Sequence, residues 1–249
     1  MDLGLTGKVA LVTGASKGLG LGIARALAAE GARVAVSSRS RERIDAAARE
    51  IGARGYIHDS NDLEAAPKLV ETVERDLGPL DILVANTGGP PANADPLGFT
   101  QEQWEDAYRS LVLAPMALVE LALPGMRERR FGRVLAVSSS AVREPIPALM
   151  LSNAHRSGLL AAFKTLAREV AADGVTVNSV LPGRIATDRI VETSGSMEAA
   201  KRWAEEQVPA RRLGTVEEFG AVAAFLCSAP AAYVTGAAVL VDGGLTKSV

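Results

Sequence analysis

Short apolar runs that recur between longer helix-patterned segments constrain this chain more than any other feature of its sequence. The runs are Val9–Thr13, Val34–Ser37, Gly55–His58, Ile82–Ala85, Val134–Ser138, Thr176–Val180 and Ala238–Val241. Several are unbroken stretches of Val, Leu, Ile and Ala without alternation, the pattern of strands covered on both faces. Helix-patterned segments lie between them at Gly18–Glu30, Arg41–Ile51, Leu63–Leu77, Gln101–Arg129, Leu149–Ala172 and Thr215–Ser228. This alternation predicts an α/β fold, a doubly wound parallel sheet with right-handed crossovers. No repeat and no low-complexity linker interrupts the 249 residues, so residues 1–249 read as one domain. The longest irregular stretch runs from Pro182 to about Arg212 and is broken by Thr193-Ser194-Gly195-Ser196. At 183–212 it is long enough to be a lid over the carboxyl ends of the strands, where such folds bind ligands.

Hydrophobic residues make up 48% of the chain and charged residues 22%, enough apolar material for a sizeable core. A net charge of −2 gives no electrostatic attraction to nucleic acid or to an anionic membrane, and neither is an expected partner. Cys227, the lone cysteine, ends the apolar run Ala223–Cys227 and reads as a buried structural thiol. No Cys/His cluster has metal-ligand spacing, so no metal is expected. The first residues lead directly into a strand without a signal-peptide pattern, and no apolar stretch reaches the ~18 residues of a membrane span. The expected location is the cytoplasm.

Thr13-Gly14-Ala15-Ser16-Lys17-Gly18-Leu19-Gly20 closes the first strand run and opens the first helix segment. Glycine there permits a tight turn and close backbone approach to phosphates, while the helix N-terminus supplies unpaired N–H groups and a positive dipole end. The spacing alone is a weak signal; its place between strand and helix makes it a dinucleotide site. The end of the second strand run decides which dinucleotide. An Asp or Glu there takes the ribose 2′-hydroxyl of NAD and would repel a 2′-phosphate. Here Val36-Ser37-Ser38-Arg39-Ser40-Arg41 contains no acid before Glu42. Arg39 offers forked N–H donors, Ser38 a hydroxyl, and Lys17 a cation within the turn. These residues predict NADP(H).

Further motifs follow the later strands: Asp59 after the third, Asn86-Thr87-Gly88-Gly89 after the fourth, Gly132-Arg133 opening the fifth and Ser138-Ser139 ending it. Asn178, Pro182-Gly183, Thr187 and Asp242-Gly243-Gly244 complete the set. With these residues the chain resembles the short-chain dehydrogenase/reductase family over essentially its whole length, and within it the 3-oxoacyl carrier-protein reductases. The resemblance implies a Rossmann-type seven-stranded sheet in the order 3-2-1-4-5-6-7, a homotetramer built through two helix pairs, and a small-molecule carbonyl or alcohol substrate. It also implies cofactor contacts along the turn at Gly14, Ser16, Lys17, Gly18, Leu19 and Gly20, and at Ser38 and Arg39. Further contacts are implied at Asp59, Ser60, Asn86 and Gly88, at Arg156, and at Pro182, Gly183, Ile185 and Thr187.

The resemblance fails at the catalytic residues. The family uses an Asn on the fifth helix, a Ser, a Tyr thirteen residues later and a Lys four beyond that. Ser139 matches the Ser, but the Tyr position is Ser152, the Lys position is Arg156 and the Asn position is Leu111. Ser157-Gly158-Leu159, which follows, matches the small-small-Leu of the family and supports the register. A serine hydroxyl is far less acidic than a phenol held beside a Lys, so Ser152 is no matched general acid, although it can donate a hydrogen bond. Arg156 stays cationic and cannot relay protons, but its fork can hold the ribose hydroxyls as the Lys does. Leu111 removes the amide that helps hold a water near that Lys. Halohydrin dehalogenases resemble this site in their Ser-Tyr-Arg triad, but they remodel the nucleotide turn, whereas this chain lacks the Tyr and keeps the glycines.

Other proton donors are few. His155 titrates near neutral pH, yet Ser152 and Arg156 share a helix face at i, i+4 from which position 155 is turned by about 100°. Tyr108 and Asn153 are weaker candidates, the first because packing explains it and the second because an amide does not titrate. Two functions follow. One is an NADP(H)-dependent oxidoreductase with non-standard proton delivery through Ser139, Ser152 and Arg156. The other is a catalytically impaired NADP(H)-binding protein serving as sensor or partner subunit. The 183–212 stretch mixes Ile185, Ile190, Val191, Met197 and Trp203 with Arg184, Arg189 and Arg202. That composition fits an apolar pocket with a basic mouth or a plain amphipathic lid helix.

Overall fold

A computed structural model describes residues 1–248. Seven parallel strands form one sheet: β1 (Val9–Val12), β2 (Arg33–Ser38), β3 (Arg54–Ile57), β4 (Ile82–Ala85), β5 (Gly132–Val137), β6 (Val175–Pro182) and β7 (Ala238–Val241). Their order is β3-β2-β1-β4-β5-β6-β7, as the family resemblance implies. β1, β4 and β5 are buried along their whole length, which is why they lack alternation. β3, at the edge, is only partly covered.

Helices cover both faces. α1 (Gly18–Ala29), α2 (Arg41–Ile51) and α9 (Val216–Leu226) enclose one core, whose largest members include Ile23, Leu27, Ile44 and Phe219. α3 (Ala66–Leu77), α5 (Ala114–Glu128) and α6 (Met150–Val170) enclose the other, around Val73, Met126 and Phe163. α1 and α9 meet backbone to backbone: a Cβ on Gly220 would stand 2.5 Å from the carbonyl oxygen of Gly22. Cys227 is wholly buried behind α9, and burial pushes its thiol up to about 12, as befits a structural residue. The sheet order reverses between β1 and β4, so the loops leaving those two strands part and open a crevice at their carboxyl ends.

Three expectations need correction. The segment Gln101–Arg129 is not one regular helix: α4 (Gln101–Tyr108) and α5 are joined by a five-residue π-helical turn, Arg109–Leu113. The 183–212 stretch is mostly helical, with α7 (Asp188–Ser194) and α8 (Met197–Gln207). Gly195, at φ +82°, makes the break between them, and Ser196 caps α8 by accepting from Ala199 N at 3.1 Å. Ile190, Ala200, Ala204, Val208 and Leu213 give this segment a small core of its own. α7, at seven residues, has too few turns for periodicity to reveal. Finally, the continuous rod Gln101–Glu128 is long and apolar enough to cross a membrane by length and composition, which the sequence reading did not detect. It lies against the sheet, and 39% of its most apolar window is buried.

Candidate cofactor and active site

The turn after β1 takes its shape from two left-handed glycines and one asparagine. Gly14 and Gly18 have φ of +57° and +59°, a region that disfavours any side chain. Asn86, at the end of β4, donates from Nδ2 to the carbonyls of Thr13 and Gly14 at 3.1 and 3.0 Å. Its backbone exchanges two bonds with the Thr13 hydroxyl, which donates to Asn86 O at 2.8 Å and accepts from Asn86 N at 3.0 Å. A Cβ on Gly20 would stand 2.6 Å from Gly14 O and 2.7 Å from Asn86 Nδ2. Gly20 is therefore required by the packing of turn on asparagine. Lys17 opens α1 in an extended conformation without a side-chain cap, so the first N–H groups of α1 remain for a ligand.

The remaining sequence-derived cofactor residues fall around this turn. Ser38 and Arg39 end β2; Arg39 is exposed and, among the described residues, makes no ion pair or hydrogen bond, whereas Arg41 pairs with Asp45 at 3.4 Å. Lys17 is engaged as well. Its Nζ lies 2.8 Å from Asp188 at the start of α7, an exposed pair that can part when a phosphate competes. Thr187 precedes Asp188 and faces Gly18, so the head of α7 rests on the phosphate turn. Ile185 is buried and bridged to Gly214, and Gly183 packs so closely on Asp242 that a Cβ would sit 2.5 Å from it. Pro182 ends β6 just before it, Leu19 lies in the first turn of α1, and Ser16 and Gly88 lie in the segments after β1 and β4. Asp59 and Ser60 follow β3, where Asp59, Asp62, Glu64 and Arg109 line an open depression of about 450 Å³. Its acidic rim would repel a phosphate.

Ser139, Ser152 and Arg156 come from two elements that meet at the end of β5. Ser139 is half-buried and caps a short 3₁₀ turn, accepting from Ala141 N at 3.1 Å. Ser152 and Arg156, one turn apart on α6, are 5% and 8% exposed. Arg156 Nε donates to Ser152 Oγ at 3.2 Å, and Nη1 donates to the Val137 carbonyl at 2.6 Å, two residues before Ser139. Because Ser152 Oγ accepts from the guanidinium, its own proton stays free to donate outward. Burial, and secondarily the charge of Arg189, pulls Arg156 down to about 10, so it is still a cation at neutral pH. Leu111 is buried inside the π-helical turn, which packs against α6. Such turns recur at functional sites, and apolar periodicity carries no signal of them.

His155 turns away, as its helical phase predicts. Its ring packs edge-on to Trp104, at 5.4 Å, and tilted on Tyr108, at 5.9 Å, both on α4. Burial lowers its pKa, which leaves it neutral. Asn153 donates to Ile146 O and is occupied locally. Two residues named in the sequence have surroundings that it does not show. Ser138 Oγ is buried without a partner beside the Val137 carbonyl, and Arg189 of α7 reaches back to the loop after β4, donating to Pro90 O at 3.1 Å.

Fold and turn together define a Rossmann-type nucleotide-binding α/β protein. The family profile described as enoyl-(acyl carrier protein) reductase matches residues 14–246. The chain is 35% identical to the 3-oxoacyl-[acyl-carrier-protein] reductase FabG of Haemophilus influenzae, over 98% of this chain and 100% of that protein. It is also 35% identical to the human dehydrogenase/reductase SDR family member 4, over 96% of this chain and 88% of that protein. The solved L-sorbose reductase of Gluconobacter frateurii, complexed with NADPH and L-sorbose, is similar with a TM-score of 0.93 and 33% identity, covering 100% of both chains. The chain belongs to the short-chain dehydrogenase/reductase family of oxidoreductases.

Proposed function

We propose that this protein is an NADP(H)-dependent oxidoreductase acting on a carbonyl or alcohol substrate, with proton delivery rebuilt around Ser139, Ser152 and Arg156. The observation that carries this reading is the bonded pair on α6: a buried cation that fixes Ser152 as acceptor and leaves the serine proton free to point at a substrate oxygen. The residues at the turn fit the cofactor. Left-handed glycines bring the backbone close, the uncapped start of α1 offers N–H donors, and Arg39 is a free cation at the end of β2 with no acid beside it. When bound, the nicotinamide supplies or accepts the hydride. Ser139 and Ser152 then polarise the substrate oxygen by hydrogen bonds, and Arg156 adds positive potential where negative charge develops. The proton on that oxygen comes from water or from the substrate, since no nearby side chain titrates at neutral pH to replace the missing Tyr.

The L-sorbose reductase complex with NADPH supports the cofactor assignment. We propose a homotetramer, because the α4–α5 rod leaves apolar side chains such as Tyr108 and Leu121 exposed. The substitutions at 111, 152 and 156 favour a second reading, a catalytically silent NADP(H)-binding sensor or partner subunit. Both readings require NADPH binding, so turnover separates them. The test is fluorescence titration with NADPH and NADH, followed by a screen of carbonyl and alcohol substrates with NADPH and NADP⁺. Tighter NADPH binding with turnover supports the first reading, and tighter binding without turnover on any substrate supports the second. Equal or tighter NADH binding refutes the cofactor assignment.

A further inference from the structure

The crevice holds more positive charge than the chain itself neutralises. Among the described residues, no carboxylate lies within ion-pair distance of the buried Arg156. Two of its three nitrogens are used within the chain, Nε on Ser152 and Nη1 on the Val137 carbonyl, while Nη2 has no partner among the described residues. A second cation stands nearby. Arg189 lies over the loop after β4, where a Cβ on Gly89 would be 3.3 Å from Nη2 of Arg189, and the same nitrogen donates to Pro90 O. That loop is also tied to the segment preceding α6, since Asn93 N donates to Ala148 O at 3.0 Å. The loop thus spans the gap between the helix that carries Arg156 and the helix that carries Arg189. The acid touching Arg189 is Glu192, one exposed i, i+3 contact at 3.4 Å, while the neighbouring Asp188 is taken by Lys17.

A desolvated guanidinium without a counterion, which also feels the charge of Arg189, is costly to keep unless an anion completes the site. NADP(H) would bring its phosphates to the glycine turn and to Arg39 and only neutral ribose hydroxyls towards Arg156, so the counter-charge is left to the other ligand. We propose that the substrate carries a carboxylate close to its reacting carbonyl or alcohol carbon, held by Arg189 and by the free Nη2 of Arg156. The reacting oxygen lies at Ser152. Because Ser152 Oγ is only 3.2 Å from Nε of the same guanidinium, the two groups of the ligand must be near neighbours. A 2-oxo or 3-oxo carboxylate, or the corresponding hydroxy acid, has that spacing. The inference rests on the crevice being a substrate site, as proposed above.

The test is calorimetric titration of the wild-type protein with 2-oxohexanoate, 3-oxohexanoate and the methyl ester of each, with and without saturating NADP⁺. The esters keep the shape and remove the charge. The expected result is that at least one acid binds roughly tenfold to a hundredfold tighter than its ester, the range of one or two charge-assisted hydrogen bonds. Arg189→Gln should abolish that preference and Arg189→Lys should restore part of it, with NADPH affinity unchanged in both. Equal binding of acid and ester, binding of neither, or an unaltered preference in Arg189→Gln would overturn the proposal. Loss of NADPH affinity in Arg189→Gln would reassign the residue to the cofactor and overturn it too. Failure of NADPH to bind the wild type is a separate result; it removes the cofactor reading while the cofactor-free titrations still decide the anion.

Discussion

Replacing Arg156 by Met asks whether this buried cation is kept for stability or in spite of it. The change preserves most of the apolar stem in a site only 8% exposed, and removes the charge and its donors. Two effects oppose each other. The folded site disfavours the cation enough to bring its pKa down to about 10, which corresponds to ~3 kcal/mol of destabilisation at neutral pH. Against this, the Val137 carbonyl loses the 2.6 Å bond from Nη1, and an unpaired buried carbonyl costs about 1–3 kcal/mol. Ser152 can rotate to a new partner and adds little. The net is a variant between equal stability and ~2 kcal/mol greater stability, hence a Tm unchanged or raised by a few degrees for a chain of this size. The pH dependence has a definite sign. Below about pH 10 both folded and unfolded chains hold the proton, so the penalty on the wild type is constant. Above it the folded form releases the proton first and the penalty shrinks. The stability gap between Arg156→Met and wild type should therefore be flat from about pH 6 to 9 and narrow above about 10. Urea unfolding followed by circular dichroism measures it, beside titrations with NADPH and the oxo acids. Retained stability with lost ligand binding marks a residue held for function. A loss of more than about 2 kcal/mol would show that Arg156 is a structural strut and refute the reasoning.

Other outcomes follow from the same geometry. Arg39→Ala should weaken NADPH binding by roughly tenfold to a hundredfold and leave NADH nearly unaffected, because Arg39, unpaired among the described residues, is the cation proposed to hold the 2′-phosphate; an unchanged ratio of affinities would exclude it from the cofactor site. Ser152→Tyr with Arg156→Lys should raise carbonyl reduction, towards the 10²–10⁴-fold that a matched general acid typically contributes, while Ser152→Tyr alone should do less. A single variant as active as the pair would show that Arg156 does not limit proton delivery. Gly20→Ala should cost about 1–3 kcal/mol and impair NADPH binding, since its Cβ would meet backbone at 2.6 Å; a wild-type melting curve would sink this. His155→Phe, which keeps the packing on Trp104 and removes an unpartnered Nε2, should leave both turnover and its pH profile unchanged. A shifted profile would make His155 a proton donor after all.

The sequence by itself determined the strands of the sheet and the glycine turn after β1, because both are written in local patterns. Unbroken apolar runs such as Ile82–Ala85 belong only in strands covered on both sides, and Gly14, Gly18 and Gly20 stand where backbone conformation or close approach excludes a side chain. The departures at 111, 152 and 156 were legible only against the pattern of the family the chain resembles, while the face shared by 152 and 156 follows from the i, i+4 spacing of a helix. What tertiary structure alone decided concerns partners distant in sequence. No local signal shows that Arg156 ends on the Val137 carbonyl, that Lys17 pairs with Asp188 across 171 residues, or that Arg189 folds back over Gly89 and Pro90. The π-helical turn at Arg109–Leu113 was likewise not foreseen, since Gln101–Arg129 reads as a single helix-patterned segment. Long-range contacts set the charge of the substrate end. Periodicity reports only what a residue's neighbours in the chain require of it.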